Sequence, residues 1–171
     1  MSEDKGDWLI DAKPLYKLCA DLDLDQQDMN RAFKSALSQS GNLIRREALQ
    51  QLYKVAYKNG PMKNTQFLGS GIIVKVWRSG MGAKVGLFGR ENIRYHKNVM
   101  KNPSYILRWV EMGTKQRKTT GNSKYYKVAA NRGNMEARPF FRQAVEAKQR
   151  EAEDILEKNI EKVLYRRASK K

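Results

Sequence analysis

His96, Glu91, Cys19 and Glu111 are the side chains whose types could do chemistry in this chain. A histidine becomes a general base when a nucleophile or an orienting carboxylate stands beside it. His96 is the only histidine, and Glu91 is the only acid near it in sequence. Both sit in a basic stretch, which favours a surface or backbone-bonded imidazole. Cys19 is the only cysteine. One thiol excludes a disulfide framework within the chain and argues against a cysteine-based zinc site. A small apolar side chain is its plainer role. Glu111 is an acid amid basic residues, and an ion pair at the end of its helix is the expectation. No GxSxG, P-loop, HExxH or strand-following GxGxxG is present. Gly69-Ser70-Gly71 and Gly80-Met81-Gly82 flank strands without opening a helix, so they read as turns. No enzyme, cofactor or metal is expected.

The second kind of chemistry is charge. Residues 90–132 hold eleven Lys/Arg against two Glu, a net of +9. Arg90, Arg94, Lys97, Lys101, Lys115, Arg117, Lys118, Lys124 and Lys127 fall in two basic loops, 90–101 and 115–127. Such residues attract phosphate without reading sequence, and aromatics among them can stack on exposed bases. Tyr95, Tyr105, Trp109, Tyr125 and Tyr126 are interleaved here. Either these rings are core beneath a solvated basic face, or the loops meet DNA or an acidic subunit. No RRM, KH or zinc-finger spacing occurs, so sequence-specific recognition is not expected. The 171 residues carry a net charge of +16, divided as −5 over residues 1–30 and +21 over the remainder. Such an imbalance speaks of partners and not of fold.

Elements to position these groups follow from pattern. Residues 1–25 are acidic, with Trp8-Leu9-Ile10 as their main apolar group. They read as an N-terminal arm or short helical lead-in, either loosely packed or docked on a neighbouring subunit through Trp8. Residues 26–57 predict a long helix capped by Asp25, with Met29, Phe33, Leu37, Ser40, Ile44, Ala48, Leu52 and Val55 on one stripe. Gly41 inside it marks a close-packing point or slight kink, and Asn59-Gly60-Pro61 stops it. Residues 72–88 predict a β-hairpin turning at Ser79–Gly82. Two strands alone are marginal. A third is expected near 125–130. Asn102-Pro103 opens a short helix over about 103–112, and Gly113 ends it. Pro139 opens a long C-terminal helix over about 139–165, with Phe141, Val145, Ala152, Leu156, Ile160 and Val163 on one face. This order is α+β: a small antiparallel sheet with helices packed against it. Residues 26–165 form a single domain, and 166–171 a basic flexible tail. No apolar run approaches the ~20 residues that span a membrane. The acidic N-terminus lacks the apolar region of a signal peptide. Synthesis in the cytoplasm is expected.

Two blocks then stand out as an ordered pair. Trp109-Val110-Glu111-Met112-Gly113-Thr114 resembles the "VEFGT" block of a tailed-phage tail-component family. These are the gene-product-ten-like proteins, similar in role and size to the lambda-type minor tail protein Z. Downstream, Ala137-Arg138-Pro139-Phe140-Phe141-Arg142-Gln143-Ala144 resembles that family's "ARPFLRPA" block. Met112 replaces the usual Phe, and Gln143 a frequent Pro. The resemblance covers roughly residues 26–165 and leaves the acidic arm outside.

The resemblance implies a virion structural protein of the siphophage neck, made in the host cytoplasm. It implies tail completion and head–tail joining in a ring, usually six-fold, around the DNA path. Self, other neck and tail-tube proteins, and passing DNA through nonspecific contacts are the implied partners. Val110, Glu111, Gly113, Thr114, Arg138, Pro139, Phe140 and Phe141 match the motif, and structural roles are expected for them. A Glu111–Arg138 pair would link the blocks. The alternative reading is a nonspecific nucleic-acid-binding protein using loops 90–101 and 115–127.

Overall fold

A computed structural model of the protein describes residues 7–21, 26–57, 68–87, 103–116, 118–119, 130–131 and 133–169. The expected α+β architecture is present. Its elements run β1 (Asp7–Asp11), α1 (Lys13–Asp21), α2 (Gln26–Tyr57), β2 (Ile73–Val76), β3 (Gly82–Gly86), α3 (Pro103–Met112), β4 (Lys118–Thr119), β5 (Ala130–Asn131) and α4 (Phe140–Ala168).

The sheet departs from expectation in its third strand. Its order is β1-β3-β2, with β3 central and both neighbours antiparallel to it. The third strand is therefore Asp7–Asp11, which charge had marked as part of an arm. Alternation explains the placement. Trp8 and Ile10 point inward, while Leu9 and Asp11 point out. Asp7 adds a 2.5 Å ion pair to Lys84 on β3. Residues 125–129 lie outside the described residues. Ala130 is in a strand, but it pairs with Thr119 in a separate two-stranded ladder. The hairpin turns as expected. Gly80 has φ +73°, and its N–H donates to Trp77 O at 3.0 Å. Gly82 belongs to β3 and not to the turn.

α1 continues directly from β1. The Asp11 carboxylate accepts the Lys13 N–H at 3.0 Å, and Pro14 falls in the first turn, where no donor is needed. The Tyr16 ring meets Phe33 of α2 edge-on, with centroids 5.3 Å apart. Its hydroxyl lies 3.0 Å from Asn30 Oδ1.

The long helix α2 is the spine. Met29, Phe33, Leu37, Ser40, Ile44, Ala48 and Leu52 are all buried, as the stripe predicts. Its partner is α4, whose Phe141, Ala144, Ala152, Leu156 and Ile160 are buried in turn. Ser40 donates its hydroxyl to Ala152 O at 2.7 Å, so even the polar member of the stripe is satisfied in the seam. The sheet packs on another side of α2 at Gly41. A Cβ there would lie 2.6 Å from Val74 Cγ1 and 3.2 Å from Val85 Cγ2. Gly41 is thus the close-packing point. α4 extends to Ala168, past the expected end near 165, so residues 166–168 belong to a helix and not to a tail. Asp25 and the stop at Asn59–Pro61 lie outside the described residues.

Two apolar clusters share these helices. One gathers Ile44, Leu52, Ile72, Val85, Leu107, Val110, Phe140 and Phe141. The other gathers Ile10, Tyr16, Cys19, Met29, Phe33, Leu37, Leu156 and Ile160. Trp8 packs against both. The first of them seats the motif residues.

Candidate functional site

α3 and the N-terminus of α4 meet in a joint built from both motif blocks. α4 begins at Phe140, and Gln143 donates its N–H to Pro139 O at 3.1 Å. Pro139 therefore occupies the cap position, one residue earlier than a first-turn proline. A helix start leaves backbone donors without intrahelical partners. Serine or aspartate at the cap would supply an oxygen, but proline has none. Glu111 supplies it from another element. Its Oε2 accepts the Phe141 N–H at 2.8 Å, and its Oε1 accepts the Arg142 N–H at 3.0 Å.

Glu111 is 8% exposed. Burial pushes its carboxyl above the usual carboxylate range. The bonds from Phe141 and Arg142, with the Arg142 charge, oppose that shift. The positive end of α4 acts in the same direction as those bonds.

The rest of the joint is backbone apart from the Thr114 hydroxyl. Arg138 donates its N–H to Val110 O at 2.8 Å. Thr114 donates its N–H to Met135 O at 2.9 Å, and Met135 returns its N–H to Thr114 Oγ1 at 3.0 Å. Gly113 turns the chain at φ +72°. A Cβ on it would lie 2.7 Å from Met135 O and 2.8 Å from Ala137 N, so the residue must be glycine on two counts. Below the joint, Val110, Phe140 and Phe141 are buried in one cluster, at 2%, 0% and 3% exposure.

The structure thus brings together every motif residue. The link between blocks is not a Glu111–Arg138 ion pair as expected. It runs from Glu111 to the backbone of Phe141 and Arg142, and from the Arg138 backbone to Val110. Met135 is a partner that sequence reasoning missed. Its hydrogen bonds run through backbone groups, which its type does not mark, while its side chain packs against the cluster below.

The other candidates are less gathered. Lys115 is described and exposed, and Lys118 lies in β4. Arg90, Arg94, Lys97, Lys101, Arg117, Lys124 and Lys127 lie outside the described residues, as do Glu91 and His96. Cys19 is buried among Met29, Phe33 and Ile160, and burial pushes its thiol up, in keeping with a small apolar role. Among the described residues no group of acids, His or Cys is placed to hold a metal. No helix there is long and apolar enough to cross a membrane.

Comparison with known proteins returned no matching family model, no matching curated protein and no matching solved structure.

Proposed function

We propose that this chain is a structural protein of a tailed-phage neck, completing the tail and joining it to the head as one subunit of a ring around the DNA path. The observation that carries the reading is the joint at Glu111. Both blocks that resemble the tail-component family contribute to it. They meet as backbone-dependent architecture, with a carboxylate that bonds two main-chain donors. That use of a carboxylate suits a building block. The excess of Lys and Arg suits a surface facing DNA or acidic neighbours.

The purified full-length chain tests this by mass photometry, alone and mixed with tail-tube components. Ring-sized particles, or incorporation into tails, are the expected result. A monomer that never joins tail components, yet binds short DNA with an affinity falling steeply as salt rises, overturns it in favour of nonspecific nucleic-acid binding.

A further inference from the structure

The three-stranded sheet has two outer edges, and hydrogen-bond register identifies the backbone groups that face them. Trp77 donates its N–H to Gly82 O at 2.9 Å, and Ala12 donates to Met81 O at 3.0 Å. Bonded pairs alternate along an antiparallel ladder. In the observed registers, Ile73, Lys75 and Trp77 of the β2 side therefore bond β3, as do Trp8, Ile10 and Ala12 of the β1 side. The N–H and C=O of Val74 and Val76 point away from the sheet at one edge. Those of Leu9 point away at the other. β1 and β2 are each antiparallel to β3, so they run parallel to one another.

Among the described residues no strand pairs with the outer side of β2. A groove of about 490 Å³ lies beside it, lined by Ser38, Asn42 and Arg45 of α2 and by Val74 and Val76. The β1 edge carries Leu9, a large apolar side chain left 55% exposed. The two edges also differ in sign. Asp11 is exposed beside Leu9 on its face of the sheet, with Asp7 held by Lys84 of its own chain, while Arg45, Lys75 and Arg78 border the β2 edge. Natural proteins protect open edges against self-pairing, and like charges would do so. Here the charges are opposite.

We infer that β1 of one copy pairs in parallel with β2 of the next, with Leu9 opposite Lys75. In that register the Leu9 N–H meets the Val74 C=O, and the Leu9 C=O receives the Val76 N–H, the slanted pattern of a parallel ladder. Side chains on the face away from α2 then interleave. Leu9 falls between Ile73 and Trp77, and Lys75 comes beside Asp11. The joined edges are unlike surfaces, so the contact is head-to-tail and repeats until it closes. This deepens the proposed ring by naming its subunit contact, and it rests on that reading only for the ring's place in a virion.

Leu9 and Lys75 both stand opposite Lys84, on either side of β3. Within one chain they are thus about 10 Å apart, two strand spacings. Cα atoms more than about 7 Å apart cannot form a disulfide. In a Cys19→Ala background, the double variant Leu9→Cys, Lys75→Cys is oxidised with copper phenanthroline and run on a non-reducing gel. A ladder of linked oligomers is expected from the double variant and from neither single variant. Dimers from Leu9→Cys alone would overturn the proposal in favour of two-fold β1–β1 pairing. Particles that assemble without any ladder would overturn this contact and leave the neck reading standing. Leu9→Pro supplies a second arm. It removes an N–H that faces the free edge and no bond to β3. It is expected to melt like the parent while losing self-association, and assembly unchanged at an unchanged melting temperature would overturn the contact. If Leu9→Pro fails to fold, the cysteine pair decides.

Discussion

Glu111 holds two backbone donors that Pro139 cannot serve, and its truncation has a definite cost. Glu111→Ala strands the N–H groups of Phe141 and Arg142 in a buried joint. A loss of about 1–3 kcal/mol is expected from urea denaturation, the cost of leaving such donors unpaired. The carboxyl also gives a pH signature. Its pKa in the fold is raised above the ordinary value, so the folded state holds the proton more tightly than the unfolded one. Stability from this group is therefore greatest at acid pH and falls as pH rises from the ordinary carboxylate range through the folded pKa. Glu111→Gln removes that titration. The stability difference, wild type minus Glu111→Gln, should shrink as pH is raised through this window in denaturation series at several pH values. At Gly113 the expectation is simpler. Gly113→Ala meets both a left-handed φ and backbone atoms within 2.8 Å. A loss beyond about 1–2 kcal/mol should appear as a lowered melting temperature, since the left-handed conformation alone costs that much.

α4 is anchored at its first turn by two adjacent aromatic rings. Both Phe140 and Phe141 are buried inside their own chain, so neither ring is available to a neighbouring subunit. Phe141→Ala is expected to cost about 3–5 kcal/mol in equilibrium unfolding, the range for deleting a core ring. Farther along, the helix depends on close approach to α2, where Ser40 bonds Ala152 O. The stripes of α2 and α4 were readable because a helical period places every buried residue of one face in a fixed sequence pattern. The cap was not readable. Glu111 and Phe141 are 30 residues apart, and the bond goes to backbone, which carries no side-chain signal.

Across the whole molecule, residues 7–21 of the acidic N-terminal stretch belong to the fold. β1 completes the sheet, and Ile10, Ala12, Tyr16 and Cys19 fill one of its two apolar clusters. Deleting residues 1–12 leaves β2 and β3 as a two-stranded sheet, which is marginal in water. The truncated chain should lose its cooperative melting transition by circular dichroism. Loss of assembly in such a deletion would therefore report unfolding, whereas Leu9→Pro separates the β1 edge from the β1 strand.

Helix positions, the hairpin, the glycine at the end of α3 and the proline before α4 were legible in the chain because each depends on neighbours a few residues away. Spacing marks the buried face, and Pro and Gly mark the places where φ is constrained. Strand partnership is of another kind. Asp7–Asp11 and Ala130–Asn131 are both short, and nothing local says which will pair with β3 and which with Lys118–Thr119. That choice is made by non-local burial. Trp8 and Ile10 stand beside Val85 and Ala83 on the face toward α2, where Gly41 lets the helix approach Val74 and Val85 closely. The motif pair was visible as two short blocks in a fixed order, but its meaning required three dimensions. A carboxylate near the end of one helix reaches the start of another because the packing of Val110, Phe140 and Phe141 brings the two ends within hydrogen-bond distance.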